Sequence, residues 1–174
     1  RPCTLRGASA TRCTGTWFSL RSYDEAGLPQ SGFTKKDVSL TADELYADVA
    51  LFKRELAEKG EATELFAQER QPKSLEGIVG NVLQAIFGKD AYGTVEEKAA
   101  HLLYFVIKNH PFIDGNKRTG AFSFVWFLRR TGIDFSGMIT PETLTTLTLL
   151  IAESKPSDKD RMIGLVLLLL RKPS

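Results

Sequence analysis

The sequence predicts an all-α protein of about seven helices packed around one central, buried helix. Three observations lead to this fold class. Apolar residues recur at helical spacing along most of the chain, capping signals precede two of these stretches, and strand-like patterning is confined to a short hairpin around residues 89–93. With 174 residues, 43% hydrophobic and 25% charged, the chain has the size and composition of one folded domain.

Charge and hydropathy exclude two classes of partner for this domain. The formal net charge of +2 gives no reason to expect nucleic acid as a main partner. The longest apolar run near the C-terminus, residues 162–170, is much shorter than the roughly 20 residues that a membrane-spanning helix needs. We therefore expect neither nucleic-acid binding nor membrane binding.

The N-terminal part of the chain divides at about residue 36. Residues 1–36 are rich in Gly, Ser, Thr and Pro without lasting periodicity, which predicts a loose arm or linker before a folded domain over residues 37–174. The first predicted helix of the folded domain begins at the capping box of Thr41 and Glu44. A short helix is expected over residues 61–68, followed by a helix whose apolar stripe extends to Ile86.

Four further helices complete the fold. Thr94 and Glu97 form a second capping box, and the helix that follows ends before His110 because Pro111 disfavours helical conformation in the preceding residue. We expect His101 to be exposed on the polar stripe of this helix. The next helix, residues 116–132, is apolar on every side and is therefore the expected central helix. Two helices, one opening at Pro141, end the chain.

The candidate functional residues lie in one stretch, residues 110–118, which we call the polar loop. His110 carries an imidazole, the side chain best suited to accept a proton at neutral pH. Asp114 is a hard oxygen ligand suited to a Mg²⁺ ion that is held mainly by substrate phosphates. Phe112 is expected to turn inward and anchor the loop.

The second half of the polar loop has the composition of an anion site. Gly115 allows close approach of the backbone to a ligand, and the amides from Gly115 and Asn116 onward lie at a helix N-terminus, where the helix dipole favours anions. Lys117 and Arg118 add cations that oppose the dipole unless an anion is bound. Base, metal ligand and anion site together suggest transfer of a phosphorus group from a nucleotide to a hydroxyl.

The polar loop, HPFIDGNKR, resembles the signature of the Fic/Doc family, His-x-Phe-x-Asp/Glu-Gly-Asn-Gly/Lys-Arg-x-x-Arg, at every fixed position except the last. The stretch from about Tyr23 to Leu170 is also similar to the Fic/Doc domain that some bacterial virulence-type proteins attach to a RhuM-like region. Residues 103–108 and 124–128 carry this broader likeness. The resemblance implies a Fic-type helical bundle, with the hairpin near residues 89–93 as a flap that aligns the target segment.

The resemblance also implies roles for single residues and partners. His110 would be the general base, Asp114 the Mg²⁺ ligand, and Gly115, Asn116 and Arg118, with Lys117 beside them, would bind the phosphates of ATP or another nucleoside triphosphate. Most members transfer AMP to a Ser, Thr or Tyr hydroxyl of a target protein, whereas Doc-type members transfer phosphate. A separate antitoxin-like inhibitor is a further partner that the family allows. The expected location is the bacterial cytoplasm, or a host cell after delivery.

Two departures from the family pattern bear on which group is transferred. Position 121, where the pattern has its second arginine, is Ala121, and position 117 is Lys rather than the Gly usual in AMP-transferring members. Both features resemble Doc, so phosphate transfer is slightly favoured while AMP transfer stays open. A degraded domain that only binds a nucleotide or a partner is the alternative. Inhibition by Glu76, in the manner of the family's inhibitory glutamate, is not expected, since Ala121 offers it no partner.

Overall fold

The computed structural model describes residues 31–171, and within that range the protein is all-α with one small hairpin. The helices are α1 (Ala42–Glu58), α2 (Ser74–Leu83), α3 (Val95–Asn109), α4 (Asn116–Arg130), α5 (Pro141–Glu153) and α6 (Lys159–Leu170). A short 3-10 helix, Pro156–Asp158, precedes α6. The predicted fold class is confirmed. The first 30 residues of the expected N-terminal arm lie outside the described range, and its boundary at residue 36 stays a prediction.

The helix starts follow the capping signals of the sequence. Thr41 accepts a hydrogen bond from the Glu44 N–H while the Glu44 side chain binds back to Thr41, and Thr94 and Glu97 repeat this box at α3. At α5, Thr140 caps the helix and Pro141 occupies its first turn. These local interactions favour the observed starts of α1, α3 and α5.

Helix α3 is the most enclosed element. It packs against α2, α4, α5 and α6. Of its 15 residues, 11 are buried, against 8 of 15 in α4. The sequence predicted α4 as the central helix, yet Phe122 and Val125 of α4 stay partly exposed. The two helices instead share the centre of the bundle. Among residues 31–171, no helix is long and apolar enough to cross a membrane.

The expected exposure of His101 is wrong, because this side chain is only 9% exposed. Its ring stacks on Tyr92 with centroids 3.6 Å apart, and its Nδ1 lies 2.8 Å from the Glu97 carbonyl oxygen. Burial lowers the pKa of His101 below its ordinary value. His101 is therefore covered by Tyr92, from the chain that precedes the helix.

Two charged residues on the same helix are buried for the same reason. Glu96 accepts hydrogen bonds from the Thr34 N–H at 2.8 Å and from the Thr34 hydroxyl at 3.0 Å. Lys98 forms an ion pair with Asp90 of the hairpin. Because each buried charge has a partner, α3 tolerates polar residues on a covered face.

The hairpin is present, but it begins earlier than predicted. Strands β1 (Ala85–Ile86) and β2 (Lys89–Asp90) pair antiparallel across a turn at Phe87 and Gly88. Both turn residues have positive φ, 51° and 74°, as a two-residue hairpin turn requires. Helix α2 accordingly ends at Leu83, and Ile86, predicted in its buried stripe, is 54% exposed.

Candidate active site

The polar loop joins the end of α3 to the first turn of α4. Helix α3 ends at Asn109, as predicted, and His110 follows in a left-handed conformation with φ 47° and ψ 56°. This backbone turn redirects the chain, and Pro111 keeps it from returning to a helix. The side chain of His110 is exposed and faces an open pocket.

Phe112 and Asn116 hold the loop in shape. Phe112 is 1% exposed, and its N–H donates to Asn116 Oδ1 at 2.9 Å. The Asn116 Nδ2 donates in return to the Phe112 carbonyl, also at 2.9 Å. The amide group of Asn116 is thus engaged inside the loop. What Asn116 offers a ligand is its backbone N–H at the start of α4.

A second segment supports the polar loop from outside it. Residues 66–70, which we call the flanking segment, run beside residues 111–114 and share three backbone hydrogen bonds with them. Ala67 N–H donates to Asp114 at 3.0 Å, Ile113 N–H donates to Gln68 at 2.8 Å, and Arg70 N–H donates to Pro111 at 2.8 Å. Side-chain spacing alone does not reveal this pairing, because the two segments are some forty residues apart.

The short helix expected over residues 61–68 is wrong. This stretch forms turns and one isolated bridge, Phe66 to Asp114, and Glu69 just after it bridges to Phe112. An irregular loop needs partners for its backbone groups, and the flanking segment supplies three of them. Tertiary pairing therefore overrides the weak local helical pattern.

Gly115 meets two separate constraints. Its φ is 85°, a left-handed value that favours glycine. A Cβ at this position would lie 2.3 Å from the nearest ring atom of Phe66. The sequence suggested that this glycine allows a ligand close to the backbone, and the structure adds that Phe66 already occupies its other side.

Asp114 is the one carboxylate beside the polar loop's anion site. Its Oδ1 accepts the Gly115 N–H at 2.7 Å, and its Oδ2 lies 3.8 Å from the Arg118 guanidinium. Among the described residues, no group of three or more His, Cys, Asp or Glu side chains could hold a metal ion. A single exposed carboxylate suits Mg²⁺ whose remaining ligands are phosphate oxygens and water.

The two cations of the first turn of α4 differ in the contacts that their side chains make. Arg118 donates to the Glu61 carbonyl at 2.6 Å, and its guanidinium lies 4.5 Å from the Phe66 ring centroid. Lys117 is exposed and has no hydrogen-bond or ion-pair partner within residues 31–171. Helix α4 has no capping side chain at its N-terminus, and Gly115 is its N-cap. Its first amides are left for water or a ligand.

These groups share one cavity of about 370 Å³, which we call the anion pocket. It is lined by Arg70, His110, Ile113, Asp114, Gly115, Asn116, Lys117 and Arg118. Four basic side chains thus face one carboxylate at an uncapped helix N-terminus. Six of these eight residues are candidates from the sequence analysis. Arg70 and Ile113 are not, and Arg70 reaches the pocket through the unpredicted pairing of the flanking segment.

The fold and the pocket define a class of protein: an all-α domain in which an uncapped helix N-terminus lies next to a histidine. Comparison with known families makes the class specific, because the model of the Fic/DOC family matches residues 39–128, about half of the chain. The chain belongs to the Fic/DOC family, which confirms the resemblance seen in the polar loop.

A relative from a known organism matches a shorter part of the chain. Toxin Doc of Mycolicibacterium smegmatis is 38% identical over 63 residues, which is 36% of this chain and 48% of that protein. The chain spans about half the length of the curated relative it matches.

Proposed function

We propose that the chain is a transferase that moves a phosphorus-containing group from ATP, or another nucleoside triphosphate, to a Ser, Thr or Tyr hydroxyl of a target protein. The observation that carries the proposal is the anion pocket, in which four basic side chains and an uncapped helix N-terminus surround one carboxylate. Such a site favours a polyphosphate together with a divalent cation. Membership of the Fic/DOC family supports the same class of reaction.

The proposed mechanism gives each residue a defined step. His110 takes the proton from the target hydroxyl as its oxygen attacks phosphorus, and the bond from phosphorus to the bridging oxygen breaks. Lys117, Arg118 and the first amides of α4 stabilise the negative charge on the phosphates. Asp114 would hold Mg²⁺, which neutralises part of that charge when bound.

The transferred group follows from which phosphorus is attacked. Attack at the γ-phosphorus transfers phosphate and releases ADP, whereas attack at the α-phosphorus transfers AMP and releases pyrophosphate. We favour phosphate, because Lys117 adds a cation to the pocket and Ala121 leaves the next turn of α4 without one. The match to a relative named Doc supports this choice. AMP transfer is the alternative, since the rest of the polar loop fits both reactions.

Labelled ATP tests the proposal directly. Purified protein is incubated with Mg²⁺, a cell lysate and ATP labelled at either the α- or the γ-phosphate. We expect γ-label in a lysate protein, none with His110→Ala, and undiminished label with Asn109→Ala, an exposed neighbour outside the pocket lining. Label from the α-position alone would mean AMP transfer. ATP binding without transfer of either label would leave a binding module and contradict the enzyme.

The name of the relative suggests a consequence for the cell. We propose that the unrestrained activity arrests growth and that a separate antitoxin-like protein inhibits it, in the cytoplasm where ATP is available. Expression of the wild type should slow growth of a bacterial host, and expression of His110→Ala to the same level should not. Equal growth of the two strains would contradict this proposal and leave the transferase proposal to the label assay.

A further inference from the structure

Arg70 lies about forty residues before the polar loop, yet it lines the same pocket. The flanking segment places it there, since the Arg70 N–H donates to the Pro111 carbonyl at 2.8 Å. The neighbouring residue, Glu69, forms a bridge with Phe112. Arg70 is therefore fixed next to the end of the polar loop that carries His110.

The guanidinium of Arg70 is oriented by one bond and otherwise free. Its Nε donates to the Phe112 carbonyl at 3.0 Å. That bond leaves both terminal NH2 groups unused, and within residues 31–171 no carboxylate lies at ion-pair distance from them. A planar guanidinium with two free donor groups matches the oxygens of a phosphate.

Arg118, the arginine within the polar loop, differs in this respect. One of its terminal nitrogens donates to Glu61 at 2.6 Å, and the other faces Asp114 at 3.8 Å. Its guanidinium also covers the Phe66 ring. Arg118 thus has contacts on several sides, whereas the terminal groups of Arg70 have none in the described part of the chain.

We propose that Arg70 is a further binding residue, which holds a phosphate group of the substrate nucleotide at the His110 end of the anion pocket. This inference rests on the proposed function for the identity of the nucleotide. Its basis in the structure is the pairing of the flanking segment, which adds a cation that the polar loop itself does not contain. Arg70 would bring positive charge to the end of the pocket where the hydroxyl attacks.

Two substitutions separate the effect of the Arg70 charge from the effect of its Nε hydrogen bond to Phe112. In Arg70→Gln the amide nitrogen takes the place of Nε, so the bond to Phe112 is kept while the charge is lost. In Arg70→Lys the charge is kept and the Nε bond is lost. Lys73→Gln is the matched control, because it removes an exposed cation three residues away whose ion pair within residues 31–171 is with Glu76.

The measurement is the Kd for ATP with Mg²⁺, for inorganic tripolyphosphate and for adenosine, by titration calorimetry. We expect Arg70→Gln to weaken ATP and tripolyphosphate by about tenfold and to leave adenosine unchanged. Arg70→Lys should weaken them less, and Lys73→Gln should match the wild type. Unchanged binding in Arg70→Gln, or an equal loss for adenosine, would overturn the proposal.

The tripolyphosphate titration separates this inference from the proposed function. Wild-type protein that binds tripolyphosphate through Arg70 but shows no binding of ATP would support the role of Arg70 and contradict the nucleotide transferase. Equal binding of ATP by the wild type and by Arg70→Gln would contradict only the role of Arg70. Binding of neither ligand by the wild type would contradict both.

Discussion

Gly115 is the residue on which the shape of the polar loop depends most directly. Its left-handed φ of 85° and the Phe66 ring against its α-carbon both exclude a side chain. The same residue is the N-cap of α4, whose first turn has no capping side chain and borders the pocket. A change at Gly115 is therefore expected to alter stability and ligand binding together.

We predict that Gly115→Ala lowers the free energy of unfolding by about 2 kcal/mol or more, from backbone strain and overlap with Phe66. Gly77→Ala is the matched control, because a methyl group on this helical glycine would meet no atom within 4 Å. The control should be neutral or stabilise by about 0.5–1 kcal/mol. Urea denaturation measures both, and equal stability of the two variants would contradict the account.

Single residues also show how far the sequence could predict the site. The polar loop was found because His110, Asp114, Gly115 and Arg118 follow one another along the chain. Arg70 could not be found this way, since its place in the pocket depends on backbone pairing between distant segments. His101 was predicted as exposed because helical spacing shows which residues share a face and does not show what covers that face.

At the scale of elements, Glu69 connects the flanking segment to α2. Its carboxylate accepts hydrogen bonds from the backbone N–H of Lys73 at 3.0 Å and of Leu75 at 2.8 Å. The Tyr46 hydroxyl of α1 donates to it at 2.5 Å. Burial, with this hydrogen bond, raises the pKa of Tyr46 to about 12. Glu69 thus caps α2 and fixes the segment that carries Arg70.

Removal of this cap should therefore destabilise the protein. We predict that Glu69→Ala lowers the free energy of unfolding by about 1–2 kcal/mol, the usual cost of a lost cap and its hydrogen bonds. Glu64→Ala, an exposed glutamate in the same region, should change it by no more than about 0.5 kcal/mol. Chemical denaturation measures the stability of both variants. A Glu69→Ala variant as stable as Glu64→Ala would contradict the capping role.

The segment that follows the hairpin contacts a titratable side chain of α3. His101 stacks on Tyr92 just after β2, and the charged groups near its ring are Glu97 of α3 with Lys159 and Asp160 of α6. Burial lowers the His101 pKa in the folded protein, so the unfolded chain takes up a proton first as the pH falls. This contribution to stability is complete above the ordinary pKa of about 6.5 and is lost as the pH falls towards the lower folded value.

A pH series tests this contact. Between pH about 7.5 and about 5.5, the Tm of the wild type should fall more than that of His101→Phe, which keeps an aromatic ring and cannot be protonated. The comparison is between slopes, so a constant difference in stability between the two proteins does not affect it. Parallel slopes would show that His101 does not have the lowered pKa.

At the scale of the whole molecule, the fold class was predictable and the position of the centre was not. Capping boxes at Thr41 and Thr94 and the helical periodicity are local signals, and the structure follows them. The burial of α3 depends on partners for Glu96 and Lys98 that come from residues 34 and 90. Because helical periodicity does not show which groups outside a helix will cover it, periodicity predicted the apolar helix α4 as the centre.

Which phosphorus group is transferred is expected to depend on where the cations lie in and beside the pocket. Lys117 is an exposed cation without a partner among the described residues, and Ala121 lies on α4 one turn beyond it. We predict that the double variant Lys117→Gly with Ala121→Arg shifts label transfer from the γ- to the α-phosphate of ATP, because the position of the cation selects which phosphate is held deepest. Lys117→Arg keeps the cation and should keep γ-transfer. An unchanged ratio of the two labels in the double variant would contradict this assignment.

The central claim is that the polar loop transfers a phosphorus group to a protein hydroxyl with His110 as the base. Mass spectrometry of lysate proteins after incubation with the protein, ATP and Mg²⁺ tests it most directly, because it identifies both the added group and the modified side chain. We predict a phosphate on a Ser, Thr or Tyr of a target protein with the wild type and its absence with His110→Ala. Modification that is equal with His110→Ala, or no modification with the wild type, would contradict the claim.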